Sequence, residues 1–291
     1  MTVNAAMDRF WLEVGQHYRG GYGTTFETAL EWLTTHLGKS LLLCEIGRRQ
    51  VSEAVSRRRA DGVSNATVNR TVTEPLRRVL ARARKHWEQE VQEIAWRDFL
   101  LPEPRERVRE LRSDEEIRLF AALRPDYHAV VGFALMSGCR LAECVGLEWD
   151  DIDWGGRTIT IRGKGNKVET IPLTAGLRAH LWPLQGGHKV RVFTYVADRA
   201  DGEIRKGDRR PITYEGLKTH WRRTKAAAKL NDFRFHDTRH TAATRLLRSS
   251  GNLKLVQKLL RHEDVATTTK YAHAHDEDLR RAMEAVESQG L

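Results

Sequence analysis

The chain has 291 residues, room for about two domains at ~150 residues each, and its 40% hydrophobic content excludes a wholly disordered polypeptide. Lys and Arg outnumber Asp and Glu by 49 to 39, a net of +10 spread over both halves, which favours an acidic partner. No apolar stretch nears the ~18 residues of a membrane span, the N-terminus lacks a secretory apolar run, and Cys44, Cys139 and Cys144 form no CxxC pair. These features predict a reduced, soluble, cytoplasmic protein without a disulfide framework or zinc ribbon.

Residues 24–99 read as amphipathic helices without strands. Leu30, Leu33 and Leu37 form one stripe that Gly38 breaks, and a second helix over Arg48–Arg59 stops at Asp61-Gly62. Ser64 or Asn65 opens a long helix, with Pro75 as a kink. In it Arg77, Arg78, Arg82, Arg84 and Lys85 cluster with no acid between them, while Leu76, Val79 or Leu80, Ala83 and Trp87 recur on another face. The cluster reads either as a solvated helix face or as a helix lying against phosphates. Leu101–Arg109 is proline-containing, charged and poor in apolar residues, as expected of an interdomain linker.

Ser113-Asp-Glu-Glu116 then reads as a capping box with Ser113 as the cap. Tyr127–Met136 is an apolar helix closed by a Ser137-Gly138 turn. Arg157–Arg162 and Val168–Leu173 alternate with period two around Gly163-Lys164-Gly165-Asn166, a β-hairpin, and Val190–Tyr195 is a further candidate strand. From Thr213 onward the pattern is helical. The fold class is therefore mainly α with a small β-sheet: a helical domain over 1–105 and an α+β domain over 106–291.

Four spots in the second domain look chemical. Arg140 follows a tight turn at a helix start, and Glu143 shares its helical face; alone, this is a capped helix with a surface salt bridge. Lys164 sits between glycines at the hairpin tip, where most lysines are simply solvated. His236-Asp-Thr-Arg239-His240 puts His236 and Arg239 on one face; His236 and His240 at i, i+4 also mimic a zinc-binding helix, against which Arg239 and the lack of an obvious third ligand count. Finally, His262 is followed nine positions later by Tyr271 in a threonine-rich segment, where burial as plain core is less natural. Two guanidinium forks match the extra charge of a phosphorane-like transition state, a tyrosine hydroxyl can attack phosphorus, and a lysine can protonate the departing oxygen.

Ser-Gly-Cys-Arg140-Leu-Ala-Glu143, Gly-Lys164-Gly-Asn-Lys, His236-Asp-Thr-Arg239-His-Thr and Leu-Leu-Arg-His262 with Tyr271 together resemble the signature of the tyrosine recombinase (phage integrase) family, from about Ser113 onward. Ser64-Asn-Ala-Thr67-Val-Asn69-Arg70 is similar to the helix opening of that family's core-binding domain. Arg261 stands where the family usually has glycine. The resemblance implies that Tyr271 forms a 3′-phosphotyrosine and that Arg140 and Arg239 hold the non-bridging oxygens, with Glu143 in support. It implies further that His262 adds a hydrogen bond, Lys164 protonates the leaving 5′-oxygen and His236 assists proton transfer at the nucleophile. Arg77, Arg78, Arg82, Arg84 and Lys85 become DNA-binding residues of a core-binding domain over 1–105. Residues 106–291 become the catalytic domain with a C-terminal exchange helix. No metal, ATP or other cofactor is implied. The expected partners are a double-stranded DNA core site, three further copies of the chain in a synaptic homotetramer, and accessory or directionality factors, with no membrane. Two alternatives remain: a topoisomerase-like nicking-closing enzyme and a catalytically silent DNA-binding protein on this fold.

Overall fold

The computed structural model describes residues 1–18, 21–104, 107–163, 167–261 and 268–271, together with 280, 283, 284 and 287. These divide into two compact units, Met1–Arg105 and Glu106–Leu291. No helix among them is long and apolar enough to cross a membrane.

The first unit is helical. It begins with α1 (Val3–Glu13), an element the apolar pattern had not marked, capped by the Thr2 side chain. Then come α2 (Gly21–Leu37), α3 (Arg48–Ala60), α4 (Asn65–Val68) and α5 (Glu74–His86). Ser64 caps α4 as expected, but the run to His86 is not one regular helix. Asn69–Thr73 forms a π-helical turn in which the Glu74 N–H donates to the Asn69 carbonyl, five residues back. Pro75 explains it: the ring has no N–H for the carbonyl of Thr71 and would press on it, and one widened turn clears that clash. The turn aims Asn69 and Thr73 inward. Asn69 brackets Leu101 by donating to its carbonyl (2.9 Å) and accepting from its N–H (2.9 Å), and Thr73 donates to the Phe99 carbonyl. The start of the proline-containing segment is thereby stitched to this unit. Leu30, Leu33, Leu76, Val79, Leu80, Ala83 and Trp87 are all buried in its core.

The second unit packs α6 (Ser113–Ala122), α7 (Pro125–Ser137), α8 (Leu141–Gly146), α9 (Ala175–Leu181), α10 (Tyr214–Ala227), α11 (Asp237–Ser250) and α12 (Leu253–Leu260) around two small sheets. The α6 cap lies one residue earlier than expected. Glu115, not Glu116, reaches back to the N–H of Arg112 (3.0 Å), while Glu116 pairs with Arg245. The hairpin forms from β2 (Thr158–Arg162) and β3 (Val168–Pro172), extended by an unforeseen short strand β1 (Ile152–Asp153) in the order β1-β2-β3. The Val190–Tyr195 strand is corrected to β4 (Thr194–Val196), paired with β5 (Arg209–Pro211). Its first residues serve instead as a single bridge from Arg191 to Glu148. Phe133, Ile159, Leu181, Leu217 and Phe233 sit in the main core, and Ala243, Val256, Leu260 and Tyr271 form a separate small cluster.

Candidate active site

The site is built where α7, α8, α11 and α12 end or begin. Gly138 closes α7 in the left-handed region (φ +64°), a conformation that costs a Cβ-bearing residue about 1–2 kcal/mol. The chain then reverses into α8, with Arg140 at its cap position. Glu143 caps that start: Oε2 accepts from the Arg140 N–H (2.8 Å) and Oε1 from Arg140 Nη1 (2.8 Å). The pair is no surface salt bridge, since the Glu143 side chain is 4% exposed and that of Arg140 48%.

Arg239, in the first turn of α11, is the bulkiest of the fully buried side chains. Nη1 donates to the Gly138 carbonyl (2.7 Å) and Nη2 to the Leu260 carbonyl. One guanidinium thus ties the end of α7 to the end of α12, using two of its five N–H donors. Burial, then the Arg140 and Arg261 guanidiniums, pull its pKa down to about 10, so the group stays charged at neutral pH.

Arg261 follows α12 and is itself left-handed (φ +53°), the backbone shape that suits the glycine of the family pattern. Its side chain turns inward, 6% exposed, with Nη2 2.5 Å from Glu143 Oε2 and Nε 3.7 Å from a Glu169 oxygen on β3. Burial pushes the Glu143 carboxyl up, but Arg261 and the two Arg140 contacts outweigh it and hold the carboxyl below the usual range.

The Tyr271 hydroxyl lies 2.6 Å from Nδ1 of His240, and the His236 ring packs edge-on against His240 with centroids 5.1 Å apart. Against the sequence expectation, Tyr271 is buried, at 5% exposure; a polar handle on an apolar ring allows this once the hydroxyl has a partner. His240 was absent from the expected set. Its signal in the sequence is the i, i+4 spacing from His236, which also fits a metal pattern. Among the described residues no group of three His, Cys, Asp or Glu side chains is placed to hold a metal ion. Lys164 and His262 lie outside the described residues, as do Leu279 and Val286 of the expected exchange helix; Met283 of that helix is helical and 56% exposed.

In the first unit the basic cluster is partly spent internally. Arg77 pairs with Glu74, Arg82 with Glu13 of α1, and Arg78 donates to the Tyr22 hydroxyl while lying over the Tyr18 and Phe26 rings. Arg84 and Lys85 are exposed.

Residues 109–278 match the model of the phage integrase family, and the chain belongs to that family. Over 176 residues it is 32% identical to the tyrosine recombinase XerC of Mycobacterium bovis, covering 56% of this chain and 58% of that protein. The chain therefore matches less than two thirds of the length of this curated relative. The fold is similar to that of the Tn1549 transposon integrase in complex with transposon right end DNA, with a TM-score of 0.74 and 18% identity over 99% of this chain and 100% of that one. It is also similar to a lambda integrase tetramer bound to a Holliday junction, with a TM-score of 0.72 and 16% identity over 93% of this chain and 77% of that one. At such identities the likeness speaks for the fold alone.

Proposed function

We propose that this chain is a site-specific tyrosine recombinase that cuts and rejoins DNA through a 3′-phosphotyrosyl intermediate. The observation that carries this reading is the convergence of Arg140, Arg239 and Glu143 in one unit that also holds a tyrosine hydroxyl at hydrogen-bond distance from a histidine nitrogen. In the proposed step the Tyr271 oxygen attacks phosphorus and its proton passes to His240, whose ring is braced by His236. The bond from phosphorus to the 5′-oxygen breaks, and that oxygen takes a proton from Lys164. Arg140 and the unspent donors of Arg239 meet the charge on the non-bridging oxygens, where His262 adds a hydrogen bond. A 5′-hydroxyl of the partner strand reverses the step. The phosphodiester energy stays in the tyrosyl link, so the scheme consumes neither ATP nor a metal ion.

Residues 1–105 serve in this reading as a core-DNA-binding domain and 106–291 as the catalytic domain. A homotetramer on two duplexes is the working assembly, for which the tetrameric lambda integrase is the precedent. The tail around Met283 would be the exchange helix, and accessory or directionality factors would act on that assembly.

Tyr271→Phe keeps the ring and removes the nucleophile, so this variant should bind core DNA and form no covalent adduct. Bound duplexes recovered from a randomised pool by Tyr271→Phe provide the core site. A nicked version of it, incubated with wild type and run on a denaturing gel, should trap the adduct. An adduct that persists in Tyr271→Phe, or none in wild type, overturns the reading. Relaxation of a plasmid lacking the core site would favour the nicking-closing alternative.

A further inference from the structure

We propose that Arg261 is a positioning residue for cleavage: by claiming one oxygen of Glu143 it leaves the guanidinium of Arg140 open to the scissile phosphate. The inference rests on the recombinase reading above and assigns a part to a residue that reading does not use.

Glu143 is a buried carboxylate with two oxygens and three donors. Oε1 takes Arg140 Nη1, and Oε2 takes both the Arg140 N–H and Arg261 Nη2. A carboxylate facing a guanidinium prefers two parallel hydrogen bonds, fork to fork. Here Oε2 already has a partner for each lone pair, so that geometry is closed to Arg140. Among the described contacts the Arg140 side chain holds Glu143 through Nη1 alone and remains half-exposed. Without Arg261, Oε2 has a vacant lone pair, and Arg140 can rotate onto it with a second nitrogen. The strongest pairing available to that fork would then be the carboxylate instead of a phosphate.

Two further observations fit a positioning role. The Arg261 side chain, 6% exposed, directs Nη1, Nη2 and Nε each at a protein oxygen and not outward to DNA. Its backbone holds a left-handed conformation that glycine would take without strain. A buried cation in a strained backbone persists only where its surroundings fix it, and here they do so on several sides. Nη1 donates to the Leu259 carbonyl (3.1 Å), Nη2 reaches Glu143, and Nε faces Glu169 of β3. Through these contacts Arg261 also links α8 to the hairpin strand that follows Lys164 in the chain.

The test is a double-mutant cycle read by single-turnover cleavage of the nicked core duplex, with DNA affinity and thermal melting measured alongside. Arg261→Gly should bind core DNA within about threefold of wild type and cleave it about tenfold or more slowly, the pattern of an interaction used in the transition state. Arg261→Lys, which keeps a cation on Oε2, should recover most of the rate. Arg140→Ala combined with Arg261→Gly should cleave no more slowly than Arg140→Ala alone, because Arg261 acts only through Arg140. A residue that merely holds the fold together would give losses that add. Should Arg261→Gly lack a cooperative melting transition, Arg261→Gln, which keeps bulk and drops the charge, takes its place in the cycle. Additive losses, wild-type cleavage by Arg261→Gly, or an Arg261→Lys as slow as the glycine variant each overturn the proposal. A wild-type protein that forms no adduct refutes the recombinase reading itself, and this inference with it, whatever the Arg261 variants do.

Discussion

Arg140 and Arg239 share a chemical role in the proposed step but stand in very different surroundings, and their alanine variants should separate on stability. Truncating Arg239 orphans the buried carbonyls of Gly138 and Leu260, at about 1–3 kcal/mol each. It also removes two packed methylenes, worth about 1.6 kcal/mol at ~0.8 kcal/mol each. Against this, a guanidinium whose pKa is drawn down to about 10 is no longer buried, a relief of about 3 kcal/mol at ~1.4 kcal/mol per pKa unit. The balance is a net loss of about 3 kcal/mol, which lowers the melting temperature of a unit this size by about 6–12 °C. Arg140→Ala leaves the buried Glu143 paired with Arg261 and a backbone N–H, so its cost should stay at about 1 kcal/mol, the net worth of one hydrogen bond from a half-exposed side chain. Both variants should lose about 10²-fold or more in cleavage, since each removes charge stabilisation of the transition state. Scanning calorimetry beside adduct formation reads both quantities. Equal melting temperatures for the two variants would refute the assignment of Arg239 as the tie between α7 and α12.

Three other outcomes follow from the geometry. Glu13, held at a pKa of about 2 by hydrogen bonds from Arg9, Trp87 and Arg82, lends stability that is present above pH ~4.5 and fades as the pH falls toward 2. The melting temperatures of wild type and Glu13→Gln should therefore converge over that window, and a constant gap between them would contradict the assignment. Replacing both Arg84 and Lys85 by Ala should lower the salt slope of DNA binding by nearly 2, and an unchanged slope would leave those cations off the DNA. Truncation after His275 should leave single-site DNA binding intact but abolish the tetramer on native gels and with it recombination; a truncated protein that still assembled would return Met283 and its neighbours to a role within their own unit.

How much of this was legible in the sequence depended on how far apart the interacting groups lie. The apolar stripe from Leu76 to Trp87 and the hairpin of Arg157–Arg162 with Val168–Leu173 follow from short-range periodicity; the stripe is buried as read, and the hairpin forms with each strand one residue shorter, Thr158–Arg162 and Val168–Pro172. The α6 cap falls one residue before the one the sequence suggests, because Ser113 looks like a capping side chain while the carboxylate that closes the turn belongs to Glu115. No acid lies between the five cations; Glu74 pairs with Arg77 from one turn before them, and the second acid is remote. Glu13 is 69 residues from Arg82 and reaches it only when α1 docks beside α5. The π-helical turn before Pro75 lay closer to hand, since a proline inside a helix must displace the carbonyl four residues back.

The candidate site divides along the same line. Arg140 with Glu143, and Arg239 with His240, lie within one helical turn of each other, and their side-chain chemistry could be weighed without a fold. What the chain hides is the sharing of groups among those turns. Arg261 lies 118 residues from the carboxylate it holds, and Tyr271 lies 31 from the histidine at its hydroxyl. A glycine-to-arginine departure reads in the sequence as a local backbone question, whether a side chain tolerates a left-handed turn. In the folded unit the backbone keeps the glycine shape, and the added side chain enters the environment of Glu143. Two guanidiniums then share one carboxylate, with Arg239 near enough to feel its charge, and the positive charge left over once Glu143 is satisfied is what a phosphodiester would neutralise.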